Sequence, residues 1–142
     1  MIKNIVFDFG DVFINLDKLV VINAMRTYGI SELTTDFDAL NKSFEVGAIS
    51  PDEFLNELHG SFSTVSKQEI ERVWNAMLLD LPDYRLQFLE DLAAENNYRL
   101  FLLSNTNALH IPHVQEKMGQ SKYSRFKNSF EGFHLSHDIH LR

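Results

Sequence analysis

Two short, unbroken apolar runs bracket a long stretch of helical periodicity in this chain. Ile5-Val6-Phe7 stops at Asp8-Phe9-Gly10-Asp11, and Leu100-Phe101-Leu102-Leu103 stops at Ser104-Asn105-Thr106-Asn107. Each reads as a strand running into a turn. Neither run alternates with polar residues, so parallel strands covered on both faces are predicted. Phe130 to Leu135 is a weaker third strand candidate. The intervening pattern is helical. Ser50-Pro51-Asp52-Glu53 carries a capping box with Pro at the first helical position, and Ile49 and Phe54 are placed for a hydrophobic staple. Ser66-Lys67-Gln68-Glu69 repeats the device. Ile70, Val73, Trp74, Met77, Leu78 and Leu81 then make one apolar face, which Pro82 closes. Leu16 to Tyr28 predicts a further helix, ending at Gly29. Phe37, Leu40 and Phe44 predict another, ending near Gly47, and Leu86, Leu89, Leu92 and Ala93 predict a last one before the second strand.

The distance between the strands fixes the organisation. A βαβ unit takes about 30 residues, and Asp8 and Ser104 stand much further apart than that. One helix, 83–96, suffices to return the chain, so residues 15–82 are surplus and hold four helical patterns. The reading is an α/β core with a Rossmann-like parallel sheet of about three strands, over 1–14 and 83–142. A four-helix insert, 15–82, follows the first strand. Ligands of open α/β sheets bind off the carboxyl ends of the strands, which places the insert over the site as a lid.

Composition narrows the classes. At 44% hydrophobic and 23% charged residues the chain is ordinary globular material. No apolar run reaches the roughly 20 residues needed to cross a bilayer, and the start lacks the form of a signal peptide. The absence of cysteine excludes disulfides and thiolate metal sites and fits a cytoplasmic protein. A net charge of −7 disfavours nucleic acid, which needs a basic face. A small molecule is the expected partner.

Asp8 ends a buried strand in a glycine-containing turn, the place where a reactive carboxylate is presented; capping the turn is its plainer role. Ser104 and Asn105 offer a hydroxyl and an amide where N–H groups at a helix start suit an anion such as phosphate, a role compatible with helix capping.

With the insert between them, these segments resemble the haloacid-dehalogenase-like (HAD) hydrolases. Ile5 to Val12 resembles the first motif of that superfamily and Leu102 to Thr106 the second; the insert resembles its small helical cap. Phe44-Glu45-Val46-Gly47-Ala48-Ile49-Ser50 resembles a cap segment of the sugar-phosphatase-like subgroup. The resemblance implies a phosphatase of a small phosphorylated metabolite, with Asp8 as nucleophile of an aspartyl-phosphate intermediate. It further implies Mg²⁺ on the Asp8 carboxylate and the Gly10 carbonyl, and phosphate held by Ser104 and Asn105 beside Gly10 and Asp11.

Two departures qualify that. The usual acid two residues after the nucleophile is Gly10 here, with Asp11 one place further, which leaves a metal-free 2-haloacid dehalogenase as an alternative. The third and fourth motifs are not found up to Arg142, so the metal site is expected to be incomplete and the chain inactive as written. That would make it a truncated or degenerate relative, with the first strand open at an edge for self-association. His134, His137 and His140 recur at intervals of three, as a metal trap or, more simply, a solvated stretch. Trp74 reads as interior of the insert, His110 and His113, at a helix start near the presumed pocket, as candidate substrate contacts or, more plainly, surface histidines, and Lys117, Lys122, Arg125 and Lys127 as a solvated face.

Overall fold

The computed structural model describes residues 2–29 and 35–142. The elements run β1 (Asn4–Phe7), α1 (Lys18–Thr27), α2 (Thr35–Glu45), α3 (Pro51–Ser61), α4 (Lys67–Asn75), α5 (Asp83–Ala94), β2 (Arg99–Ser104), α6 (His110–Met118), α7 (Gln120–Asn128), β3 (Gly132–Leu135) and α8 (Ser136–Ile139). The fold is α/β, as the two apolar runs and the spacing between them predict. Three parallel strands lie in the order β1-β2-β3, with Val6 beside Phe101 and Leu102 beside Phe133. The carboxyl ends of β1 and β2 therefore open toward the same side, and β1 is an edge strand.

Burial of the strands departs from the expectation of two covered faces. Ile5, Phe7, Leu100, Leu102 and Phe133 pack into the core, while Val6 is 60% and Leu103 52% exposed. Successive side chains of a strand take opposite faces. Among the described residues, then, helices cover one face of the sheet and leave the other open. An unbroken apolar run reports only that both faces avoid polar side chains.

The helix starts follow their caps. Ser50 and Glu53 form the reciprocal box at α3, with Pro51 at its start. Ser66 takes the N–H of Glu69 at α4, but the Glu69 side chain does not reach back. Arg72 and the Tyr28 hydroxyl engage it instead, and they pull its carboxyl down to about 2. The apolar face predicted to run on to Leu81 stops being helical at Asn75. The chain there pairs with the outgoing connection: Asp17 N–H donates to Met77 O, Leu79 N–H to Asn15 O, and Asn15 N–H to Asp80 O. Met77, Leu78 and Leu81 consequently belong to the sheet-side core.

Two apolar clusters result. The sheet-side one is rich in phenylalanine: Phe126 meets Phe13 at 5.1 Å and Phe130 at 5.2 Å between ring centroids, mostly edge to face. The other holds Phe44, Phe54, Leu58, Ile70 and Trp74 of α2–α4, where Phe44 stacks on Phe54 at 4.2 Å. Cations fasten the connections that join them. Lys117 and Lys122 donate to Leu78 O and Leu81 O, and Arg85 to Phe13 O, so part of the expected solvated basic face is structural. In the histidine stretch His134 and His140 are exposed and His137 is half-buried. His140 Nδ1 lies 2.9 Å from Val46 O. Gly47, at φ 67°, lies so close to His137 that an added Cβ would fall 2.4 Å from its carbonyl oxygen. Only glycine fits there, on both counts.

Candidate active site

The end of β2 is built from buried polar groups. Ser104, Thr106 and Asn107 are all buried, and Asn105 is exposed. Ser136, beyond β3, locks the turn in both directions: its Oγ accepts the Thr106 N–H at 3.0 Å and donates to Thr106 O at 2.9 Å. Asn107 Oδ1 accepts the N–H groups of Leu109 and His110 at the start of α6. That fixes the amide orientation, so Nδ2 is the atom facing His110 Nδ1 at 3.2 Å. His110 Nδ1 therefore accepts, and Nε2–H donates across 3.3 Å to Trp74 O at the end of α4. Burial pushes the imidazole down to about 4, so it is neutral at physiological pH. Its ring stacks on Trp74 at 5.4 Å.

The end of β1 is different. Asp8 is exposed, and its Oδ1 accepts the N–H of Phe9 at 2.6 Å. The chain then turns tightly, with Phe13 and Ile14 N–H both returning to Phe9 O. Asp11 takes a positive φ of 58°, which Asp tolerates better than most residues. Its Oδ2 lies 2.6 Å from Lys18 Nζ, and this bond holds the carboxyl below its ordinary range. Asp11 is thus an ionised partner of Lys18 and not a proton donor at neutral pH.

Between these strand ends and the helical insert lies a cleft of about 200 Å³. Phe9 and Gly10 line it from the β1 turn, Ser104 to Asn107 and His110 from the β2 side, and Asn41, Glu45 and Trp74 from α2 and α4. Of the residues singled out from sequence, Gly10, Ser104 and Asn105 come together here. Asp8 immediately precedes the lining residues, and Asp11 stands apart with Lys18. Sequence reasoning missed Asn41, Glu45, Asn107 and Ser136 and took Trp74 for interior alone. Asn107, three residues before His110, carries an N-cap signal; Ser136 lies 30 residues from its partner and carries none. A second cavity, among Val21, Met25, Phe62 and Val65, has no charged group in its lining and offers no chemistry.

The Asp8 carboxylate and the Gly10 carbonyl are hard oxygen donors of the kind magnesium takes, which prefers about six in octahedral array. Among the described residues no group of three His, Asp or Glu side chains is placed to hold a metal. The donors suit magnesium in kind.

No family model matches the chain. It is 32% identical over 115 residues to a D-ribitol-5-phosphate phosphatase of Bacteroides thetaiotaomicron, a match covering 75% of this chain and 54% of that protein. The chain thus spans about half the length of that curated relative. It superimposes on a magnesium complex of a HAD family enzyme from the same organism with a TM-score of 0.83 at 31% identity, covering 99% of this chain and 71% of the other. The wild-type form of that enzyme with magnesium and inorganic phosphate gives 0.82 at 31% identity, covering 100% and 72%. A predicted HAD-like hydrolase from Porphyromonas gingivalis gives 0.74 at 25% identity, covering 100% and 70%. At 31% identity, with 71% of that HAD family enzyme covered and a TM-score of 0.83, the chain belongs to the HAD family of hydrolases.

Proposed function

We propose a magnesium-dependent phosphatase acting on a small phosphorylated metabolite, with Asp8 as nucleophile. The observation that supports it most is the cleft itself: the anion-suited end of β2 adjoins the strand end that carries Asp8, beneath the helical insert. In this reading residues 1–14 and 83–142 form the hydrolase core and 15–82 the cap. An Asp8 carboxylate oxygen bonds to phosphorus as the ester oxygen leaves as an alcohol. Water then cleaves the acyl phosphate, which returns the carboxylate and releases phosphate. Ser104 and Asn105 orient phosphoryl oxygens. The Asp8 carboxylate and the Gly10 carbonyl would hold magnesium, whose charge would offset the repulsion between nucleophile and phosphate. Both the magnesium complexes and the phosphate phosphatase among the relatives support this reading.

The short donor set leads us to propose that residues 1–142 alone turn over feebly at most. Phosphate release from a panel of sugar and polyol phosphates, with and without Mg²⁺, tests this. Rapid, magnesium-dependent release by the 142-residue chain would refute the incomplete site, and chloride release from 2-chloropropionate without metal would replace the phosphatase by a dehalogenase. We propose further that β1, with exposed Val6, pairs with a second copy of the chain. Sedimentation should show a concentration-dependent dimer that Val6→Lys abolishes; a monomer at all concentrations would dismiss it.

A further inference from the structure

Three cleft residues on the helical insert carry polar atoms that are buried without a hydrogen-bond partner. They are Asn41 Oδ1 and Glu45 Oε2 of α2 and Trp74 Nε1 of α4. Glu45 Oε2 does lie 2.5 Å from Arg142 Nε, as an ion pair without hydrogen-bond alignment, and Asn41 Nδ2 donates to Glu45 Oε1 at 3.2 Å. Asn41 and Glu45 are thereby held against each other on one turn of helix; both Glu45 oxygens are engaged, and Asn41 Oδ1 is left unused. Trp74 is 8% exposed and is fixed by stacking on His110 and Phe54. Leaving such atoms unpaired costs stability, and native proteins seldom do so without a use for them.

We infer that Asn41 and Trp74, with Glu45 orienting the Asn41 amide, select the leaving group of the substrate by hydrogen-bonding its hydroxyls. The inference rests on the phosphatase reading above and deepens it. One open acceptor, Asn41 Oδ1, and one open donor, Trp74 Nε1–H, match a group that both gives and receives hydrogen bonds, which is what a hydroxyl does and an alkyl chain cannot. Among the described residues that line the cleft there is no lysine or arginine, and His110 is neutral. The phosphoryl group therefore belongs on the β2 side, and the wall meets the uncharged end of the ester. At about 200 Å³ the cleft is smaller than the roughly 300–1,000 Å³ of pockets for drug-sized ligands. A short polyol or sugar is the class that fits. Sites built to pair a hydroxyl reject analogues lacking it far more strongly than apolar pockets reject an added one.

The test compares a five-carbon polyol phosphate, n-pentyl phosphate and inorganic phosphate as ligands of the 142-residue chain. Trp74 is the only tryptophan, so its emission reports occupancy in the wild type, Asn41→Leu and Glu45→Gln; calorimetry serves for Trp74→Phe. The polyol ester should bind about tenfold or more tighter than the pentyl ester, and each substitution should cut that ratio by about two- to tenfold, the size of one lost hydrogen bond. Affinity for inorganic phosphate should be unchanged, which also certifies that each variant is folded. Equal binding of the two esters by the wild type, or a ratio that survives all three substitutions, would overturn the inference and leave the phosphatase standing. If neither ester nor phosphate binds the wild type, the phosphatase reading fails and this inference with it.

Discussion

The two strand ends that frame the cleft are made in opposite ways. At β2, Ser104, Thr106 and Asn107 are buried, Ser136 holds the Thr106 backbone, and Asn107 is bonded to His110 and the start of α6. At β1, among the described residues, Asp8 is exposed and bonded only to the next N–H, and β1 is the edge strand of the sheet. Donors that receive a phosphoryl group are most effective when held in place before it arrives, and tertiary structure supplies that hold at β2. Nothing comparable braces Asp8 among the described residues. Damage at β2 should therefore cost folding energy, and damage at β1 should cost only chemistry.

The largest effect should come through pH at His110. Its folded value of about 4 lies below the ordinary 6.5 because the buried ring is desolvated. The unfolded chain takes up a proton as pH falls through 6.5, and the folded one resists until about 4. Stability is therefore full above about 6.5 and falls progressively as pH drops toward 4. At about 1.36 kcal/mol per pH unit the loss is on the order of 3 kcal/mol. Protonation would also place an N–H on Nδ1, facing the Asn107 amide that donates to it. Urea denaturation at pH 7, 6, 5 and 4 checks this, with His110→Asn as the control that should flatten the slope. An equal slope in that variant would assign the loss to carboxylates instead.

Next in size is Ser136→Ala. The substitution removes the hydroxyl that both accepts from and donates to the Thr106 backbone, in a site 1% exposed. Two buried backbone groups lose their partner, which should cost about 1–3 kcal/mol. Inorganic phosphate should bind more weakly at the same time, as the turn loosens. A melting temperature within a degree of wild type would show that the β2 turn does not depend on Ser136.

The same contrast marks what the sequence could say. Local chemistry was legible wherever a cap or a short periodicity decided it: the capping box at Ser50, the glycine near the end of α2, and both strand-end turns were in view. The extent of α4 was not. The apolar positions 77, 78 and 81 keep helical spacing, yet backbone pairing with residues 15–17 claims them, and no local propensity records a partner some 60 positions away. The open sheet face escaped for a related reason, since an apolar run says what a strand tolerates and not what covers it. In the site, Asp8, Ser104 and Asn105 were visible because each stands directly after an apolar run. Asn41 and Glu45 were hidden because on a helix a polar residue that faces a cleft has the same spacing as one that faces water.

Asp8→Asn should have the smallest effect on stability and is for that reason the sharpest probe of the contrast. The side chain is exposed, and an asparagine Oδ1 can accept the Phe9 N–H that Asp8 Oδ1 accepts now. Unfolding free energy should then stay within about 0.5 kcal/mol of wild type. The amide is no nucleophile, so in whichever length of chain releases phosphate, the rate should fall by about three orders of magnitude or more. A large loss of stability would mean that the β1 end is braced after all. Undiminished release would remove Asp8 from the chemistry. Intact folding with abolished release would show that the exposed strand end serves reaction and not structure, which is the role its lack of partners already implies.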